Sequence, residues 1–200
     1  MAAGAVSIIG VPTDVGAGKA GARMGPDALR VAGIDRAIAR FGVEVVDRGN
    51  LSGPNNPELS AIDGFRHLPE VVAWNHSVHD AVRAELASEH LPIVLGGDHC
   101  LAIGSISAVA RHCRESGRRL QVLWLDAHAD FNTAILTPTG NLHGMPVACL
   151  CGHGPPLLTG IGGTVPAMLP SEIRQIGVRS VDQGEKSFLA EIGIEVFDMR

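Results

Sequence analysis

The sequence of 200 residues lacks a surplus of basic side chains, since 16 Lys and Arg stand against 21 Asp and Glu, a formal net charge of −5. Proteins whose affinity depends on nucleic-acid phosphates usually carry the opposite balance. No run reaches the roughly 18–20 apolar residues of a membrane span. The first five residues, MAAGA, lack the basic and apolar regions of a signal peptide. We therefore expect no nucleic-acid partner, no membrane association and a cytoplasmic location.

Cysteine is also scarce. The chain has four cysteines and no C-x-x-C pair, and Cys149 and Cys151 are only two positions apart. In a chain of this length that pattern favours reduced thiols over a disulfide framework. The hydrophobic content of 46% is sufficient for one substantial core, so residues 1–200 are predicted to form a single domain.

Short apolar runs alternate with longer helix-like segments along the whole chain. This alternation predicts an α/β fold of three layers, α/β/α, with a mostly parallel central sheet. A stretch rich in Gly and Pro at 151–170 predicts a long loop. The predicted strands are 6–9, 43–46, 93–95, 122–125, 173–178 and 195–197, and the predicted helices are 26–40, 69–88, 102–114, 145–150 and 185–192.

Two groups of possible metal ligands come directly after predicted strands, where parallel sheets form their sites. His99 follows one strand, and Asp126, His128 and Asp130 follow the next. If the second segment stays extended, its three ligands point to one side, because side chains alternate along a strand. Clustered carboxylates are costly without a cation. Carboxylates combined with imidazoles favour Mn²⁺ over a structural zinc site.

When each group is considered by itself, a structural interpretation without metal binding stays open. The segment 126–130 is also compatible with a solvated turn, and His99 with a histidine bonded to the backbone. Asp98 is either a ligand or a structural carboxylate that holds the Gly96-Gly97 turn. Cys100, next to His99, fits a small buried residue better than a thiolate ligand.

Three motifs in succession resemble signatures of the ureohydrolase family, which contains arginases and agmatinases. They are GGDH at 96–99, DAHADFN at 126–132 and TGNLHGMP at 139–146. The resemblance runs through nearly the whole chain, from 8–10 and 24–26 to 176–179. Asn132 and the loop at 139–146 resemble arginases rather than agmatinases, which diverge in this loop.

The resemblance implies a ureohydrolase fold and the hydrolysis of L-arginine to L-ornithine and urea, by attack of a metal-activated hydroxide on the guanidinium carbon. It implies two Mn²⁺ ions, of which His99 and Asp130 bind the first, His128 binds the second and Asp126 bridges them. His143 would transfer a proton. The residues implied in substrate binding are Asn132, Thr137, Thr139 and Asn141 for the α-carboxylate and Asp182 for the α-amino group. The resemblance also implies a role in arginine metabolism or the urea cycle, and a homo-oligomer, trimeric or hexameric.

The sequence departs from the family at one point. Arginases supply two further metal-binding aspartates from a later Ser-x-Asp-x-Asp signature, and a downstream glutamate; none has a counterpart here. We therefore expect an incomplete domain without its C-terminal part, at most one bound ion and an exposed apolar sheet edge. A fragment of an arginase, a truncated product without activity and a chain completed by another all stay open.

Two other functions also stay open. One is a ureohydrolase for a different guanidino compound, agmatine or guanidinobutyrate. The other is a non-catalytic ureohydrolase-like subunit, with or without bound metal.

Overall fold

Six strands and seven α-helices alternate in the computed structural model, which describes residues 4–198. Most of the stretch that argued against a signal peptide therefore lies outside the described residues. Within 4–198, no helix is both long and apolar enough to cross a membrane. The strands are β1 Val6–Val11, β2 Val45–Asn50, β3 Leu91–Gly96, β4 Val122–Leu125, β5 Ile173–Val178 and β6 Glu195–Asp198. The α-helices are α1 Gly25–Val31, α2 Ile34–Ala39, α3 Leu68–Ala87, α4 Ala102–Glu115, α5 Pro146–Leu150, α6 Pro156–Thr159 and α7 Gln183–Ile192.

All of these strands pair in parallel, and helices flank them, so the predicted α/β class is confirmed. The described residues form two three-stranded sheets rather than one, in the orders β2-β1-β3 and β4-β5-β6. Strands β3 and β4 are both edge strands, and no backbone pairing joins them within residues 4–198. On β4, Leu123 is 61% exposed and Leu125 is 74% exposed.

The core forms where helices cover the sheets. Strand β1 is buried along its whole length, which agrees with its continuous apolar sequence. Helix α3 buries Val71, Trp74, Val78 and Val82, the spacing of one helix face, and packs against α4. A second buried cluster covers the other sheet and includes Trp124, Phe131 and Ile173.

Three predicted segments differ from the structure. The helix predicted over 26–40 is two helices, because Gly33 between them has φ 83°, a left-handed conformation that suits glycine. The strand predicted at 43–46 is β2, which extends through a polar stretch. Arg30 fixes that stretch with two hydrogen bonds to the Asp47 carboxylate, 2.7 and 2.9 Å long. The loop predicted at 151–170 contains the short helix α6.

The four cysteines are free, as predicted. Burial raises the pKa of the Cys149 thiol to about 12 and that of Cys151 to about 12. Cys100 is completely buried, and burial raises its pKa well above the ordinary value. These three thiols therefore stay protonated at neutral pH, and Cys100 is the small buried residue that the sequence favoured.

Candidate functional site

The first predicted ligand, His99, is placed by a tight connection after β3. Gly97 lies directly against the backbone of Thr13, where a Cβ atom would collide with the carbonyl oxygen. Both oxygens of the Asp98 carboxylate accept backbone hydrogen bonds, Oδ2 from Gly16 at 2.8 Å and Oδ1 from Cys100 at 2.9 Å. Since Asp98 is buried and engaged in this way, the geometry favours its structural role over a role as ligand.

The other predicted ligands follow β4, but not by continuing the strand. The strand ends at Leu125, and Asp130 has φ 50°, so the assumption of an extended segment is wrong. A turn brings the carboxylates together instead. Its far end is held by Gln175, whose Nε2 donates to Ala129 at 2.5 Å, and by Glu185, whose Oε1 accepts from the Phe131 N–H at 2.7 Å.

Three of the four predicted ligands meet. His99 Nδ1 lies 2.8 Å from Asp130 Oδ2 and 3.1 Å from Asp126 Oδ2. One ligand atom from each of the three lies within 4.8 Å of the others. Asp130 is 5% exposed, and its Oδ2 accepts no well-directed hydrogen bond from the described residues. A buried carboxylate oxygen left in this state beside an imidazole fits a bound divalent cation, which would compensate its charge.

His128, the fourth predicted ligand, lies at the side of this group. Its ring Nδ1 is 3.3 Å from Asp126 Oδ1, and its backbone N–H donates to the same oxygen at 2.9 Å. The side chain is 60% exposed. The two oxygens of Asp126 therefore face different imidazoles, Oδ2 towards His99 and Oδ1 towards His128.

Two opposing effects act on the pKa of His99. Burial lowers it, but contact with the Asp130 carboxylate and the negative charges of Asp130 and Asp126 outweigh burial and raise it above its ordinary value. Without a metal, the two carboxylates therefore favour the protonated, positively charged form of His99.

All ten predicted site residues line one cleft of about 500 Å³. They are His99, Asp126, His128, Asp130, Asn132, Thr137, Thr139, Asn141, His143 and Asp182. Five further lining residues were not predicted: Pro138, Gly144, Ser180, Val181 and Glu185. Among these, Glu185 carries a buried carboxylate. A single Glu at the start of a predicted helix has no pattern that could have identified it.

The loop at 137–141, which lines the same cleft, is rich in neutral hydrogen-bonding groups. Thr137 Oγ1 accepts from the N–H of Gly140 at 3.0 Å, and Thr139 Oγ1 accepts from the N–H of Asn141 at 3.3 Å. With these bonds accepted, each hydroxyl keeps its own O–H free to donate. The side-chain oxygens of Asn132 and Asn141 are buried without a partner among residues 4–198. An amide can present either its oxygen or its N–H₂ group, so these groups suit a polar ligand.

His143 is held by the loop after β1. Its Nδ1 lies 2.9 Å from the Gly16 carbonyl oxygen, and its backbone N–H donates to the same oxygen at 3.0 Å. A carbonyl can only accept, so Nδ1 carries the hydrogen and Nε2 is the nitrogen left to exchange protons. A Cβ atom on Gly16 would lie 2.7 Å from Asp98 Oδ1 and 2.8 Å from Cys100 Cβ, which explains the glycine.

The cleft is acidic. Four carboxylates line it, from Asp126, Asp130, Asp182 and Glu185, and none of the described lining residues is Lys or Arg. Burial, assisted by the charge of Asp130, raises the pKa of Glu185 above its ordinary value. Such a concentration of negative charge favours cationic ligands, both metal ions and organic cations.

Comparison with known proteins agrees with this geometry. The sequence model of the Arginase family matches residues 4–200. Arginase from Brevibacillus brevis is 39% identical over 194 residues, which is 97% of this chain and 64% of that protein. The solved arginase from Bacillus caldovelox superposes with a TM-score of 0.91 at 41% identity, over 98% of this chain and 65% of that one.

A solved arginase from Entamoeba histolytica, in complex with L-ornithine, has a TM-score of 0.86 at 33% identity, over 99% of this chain and 66% of that one. The chain thus spans about 64% of the length of the curated relatives that it matches first. The predicted ureohydrolase fold is confirmed by these superpositions, and the chain belongs to the arginase family.

Proposed function

We propose that the protein is a Mn²⁺-dependent arginase, which hydrolyses L-arginine to L-ornithine and urea. The observation that carries the proposal is the composition of the cleft. Carboxylates and imidazoles of metal-ligating type line it together with neutral hydroxyl and amide groups. That arrangement suits a long substrate with a cation at one end and a carboxylate at the other.

The metal end is assigned first. His99, Asp126 and Asp130 would hold one Mn²⁺. The resemblance assigns Asp126 and His128 to a second ion as well, but we do not expect these two side chains alone to retain it. Mixed oxygen and imidazole ligands suit Mn²⁺. When bound, the metal supplies a nucleophile from water at neutral pH, which a guanidinium carbon requires because it is a weak electrophile.

The substrate is oriented by groups that differ along the cleft. The free O–H groups of Thr137 and Thr139, with the amides of Asn132 and Asn141, would bind the α-carboxylate. Asp182, exposed at the first position before α7, would face the α-amino group. The acidic end would then receive the guanidinium group, the only other charged part of arginine.

His143 is the proton-transfer residue in this proposal. Its hydrogen bond to Gly16 fixes the tautomer and keeps Nε2 available. Histidine exchanges protons readily near neutral pH, so Nε2 can protonate the leaving amine as the carbon–nitrogen bond breaks. L-Ornithine, the product of that step, is the molecule with which the Entamoeba arginase was solved.

The proposal includes the cellular setting implied by the resemblance: arginine metabolism in the cytoplasm and a trimeric or hexameric assembly. The assembly can be measured by light scattering coupled to size-exclusion chromatography. A monomer at every concentration would contradict it.

The test of activity is urea release by the purified chain from L-arginine, agmatine and guanidinobutyrate, with and without Mn²⁺. We expect urea from L-arginine only when Mn²⁺ is present. Agmatine has no α-carboxylate for Thr139 and Asn141 to hold, so we expect it to react far more slowly. A preference for agmatine, or release of urea that is independent of Mn²⁺, would contradict the proposal.

A matched variant tests the carboxylate loop directly. Thr139→Val keeps the side-chain shape and removes the hydroxyl, whereas Thr139→Ser keeps the hydroxyl. We expect the valine variant to lose activity towards L-arginine and the serine variant to keep it. Equal activity in the two variants would contradict the role of the hydroxyl.

A further inference from the structure

The ligands of the metal group come from two different sheets. His99 follows β3 of the first sheet, whereas Asp126 and Asp130 follow β4 of the second. Within residues 4–198, no backbone hydrogen bonds join β3 to β4. The position of His99 relative to its two carboxylate neighbours is therefore set by side-chain and helix packing, and not by strand pairing.

One side chain of the second sheet contacts His99 directly. The indole of Trp124, on β4, stacks on the imidazole of His99, with ring centroids 4.4 Å apart and an angle of 18° between the ring planes. Trp124 is 4% exposed, whereas the side chain of His99 is 42% exposed. A buried ring thus lies against one face of a partly exposed ring.

The indole is held by packing rather than by its polar atom. Its Nε1 is buried and has no hydrogen-bond partner among the described residues, although buried tryptophans usually find one. Trp124 belongs to the buried cluster of the second sheet, and Ala102 and Ile106 of α4 pack against that cluster. The ring face presented to His99 is therefore fixed by apolar contacts on the other sides.

We propose that Trp124 is a positioning residue for the metal site: its ring face sets the plane of the His99 imidazole, so that Nδ1 points at Asp126 and Asp130. This inference rests on the metal site of the proposed function. An imidazole held in its binding orientation loses less rotational freedom when the metal binds, so the affinity is higher. Residues that orient a ligand in this way typically contribute about 10-fold or more to metal affinity.

A purely structural role would give a different result from a positioning role. If Trp124 only fills the core, any smaller apolar residue lowers the melting temperature. The loss of metal affinity then follows the loss of folding stability. If it positions His99, a ring must be retained at this site, and apolar volume without a ring is insufficient.

The experiment compares Trp124→Phe with Trp124→Leu in the 200-residue chain. Mn²⁺ affinity is measured by calorimetric titration, and the melting temperature is measured separately with a chelator present. We expect both variants to melt earlier, Trp124→Leu to bind Mn²⁺ about 10-fold more weakly, and Trp124→Phe to keep most of the affinity. Equal affinities in the two variants, or losses that follow the melting temperatures, would overturn the proposal.

A second measurement needs neither metal nor substrate. The chain has only two tryptophans, Trp74 and Trp124, so Trp74→Phe leaves Trp124 as the sole indole. In that background, His99→Ala should expose one indole face to water and shift the emission to longer wavelength. His128→Ala is the matched control and should leave the emission unchanged, because that ring is not stacked on Trp124. No shift with His99→Ala would overturn the stacking itself.

These outcomes are separate from the test of arginine hydrolysis. If Mn²⁺ binds but L-arginine is not hydrolysed, the proposed activity fails and the comparison of the Trp124 variants still decides the positioning role. If the unmodified chain binds no Mn²⁺, the positioning role in metal binding is overturned together with the metal site.

Discussion

Glu185 shows how much of the site depends on a single buried carboxylate outside the family motifs. It is 4% exposed, lines the cleft and accepts a hydrogen bond from the Phe131 N–H, next to the predicted ligand Asp130. Burial is the largest effect on it and raises its pKa. Its bond to the backbone, and not its charge, is therefore what stabilises the turn.

The variants Glu185→Ala and Glu185→Gln separate these two properties. Removal of the acceptor leaves the Phe131 N–H buried without a partner, so the alanine variant should lose about 1–3 kcal/mol of unfolding free energy. The glutamine variant keeps an acceptor oxygen and removes a costly buried charge, so it should retain most of the stability at neutral pH. Urea denaturation measures both, and equal losses would contradict this account.

The raised pKa of His99 predicts how the folding stability of the metal-free chain changes with pH. A histidine whose pKa is raised by folding contributes stability that is fully present below its unfolded pKa, near 6.5, and is lost as pH rises through the folded pKa. The metal-free chain should therefore lose stability as pH increases above about 6.5. Mn²⁺ affinity should change in the opposite direction, because the metal must displace that proton.

Unfolding in the presence of a chelator at several pH values, with His99→Ala as the comparison, tests this linkage. The alanine variant should show a smaller loss of stability over the same range. An unmodified chain whose stability rises steadily through this range would contradict the assignment.

Motif residues of the site were predictable from the sequence, and residues without a motif were not. The four ligand positions occur in runs whose residue types and spacing point to metal chemistry, whereas the substrate-binding and proton-transfer positions rest on the family resemblance. All ten line one cleft. Trp124 and Glu185 have no such signal. Their contributions depend on which atoms lie beside them after folding, the His99 ring for one and the Phe131 N–H for the other.

Among the elements, the loop after β1 contacts two segments that contribute to the cleft: the one that carries His99 and the one that carries His143. Through Gly16 it donates to Asp98, next to the predicted ligand His99, and accepts from His143, the proposed proton-transfer residue. The site for a Cβ atom on Gly16 is already occupied by Asp98 and Cys100.

Gly16→Ala should consequently lower the free energy of unfolding by about 1–3 kcal/mol, as added volume does in a well-packed interior. Gly96→Ala is a suitable control, since its Cβ would make an ordinary contact with Leu101 at 3.6 Å. Chemical denaturation of the two variants checks the difference. A Gly16→Ala protein as stable as Gly96→Ala would show that this contact is not as tight as the distances indicate.

Element types were easier to predict than element ends. The apolar runs identified every strand, but β2 continues into Asp47–Asn50, where pairing with β1 and contacts from Arg30 compensate for a polar sequence. The turn after β4 was predicted as a strand extension. Its actual path depends on hydrogen bonds from Gln175 and to Glu185. Because both residues are distant in sequence, a local sequence pattern cannot predict these contacts.

For the whole molecule, the main consequence of the two-sheet arrangement is an edge at β4 with apolar side chains on it. Leu123 is 61% exposed on that strand. Exposed apolar edge strands promote association between chains. Leu123→Lys should raise the temperature at which light scattering detects aggregation, with little change in unfolding.

Val31→Lys is the control for this prediction, because Val31 is 86% exposed and lies in helix α1, not on an edge strand. It should leave the aggregation temperature near that of the unmodified chain. If both substitutions act equally, net charge and not the β4 edge governs association.

The central claim is that His99, Asp126 and Asp130 form a metal site inside an arginase-family cleft, and titration of the metal-free chain with Mn²⁺ tests it most directly. The 200-residue chain should bind one ion, and Asp130→Asn should lose that binding, because the substitution removes the charge of a buried carboxylate whose Oδ2 lies 2.8 Å from the His99 ring. An unmodified chain that binds no Mn²⁺, or an Asp130→Asn chain that binds it equally well, would contradict the account.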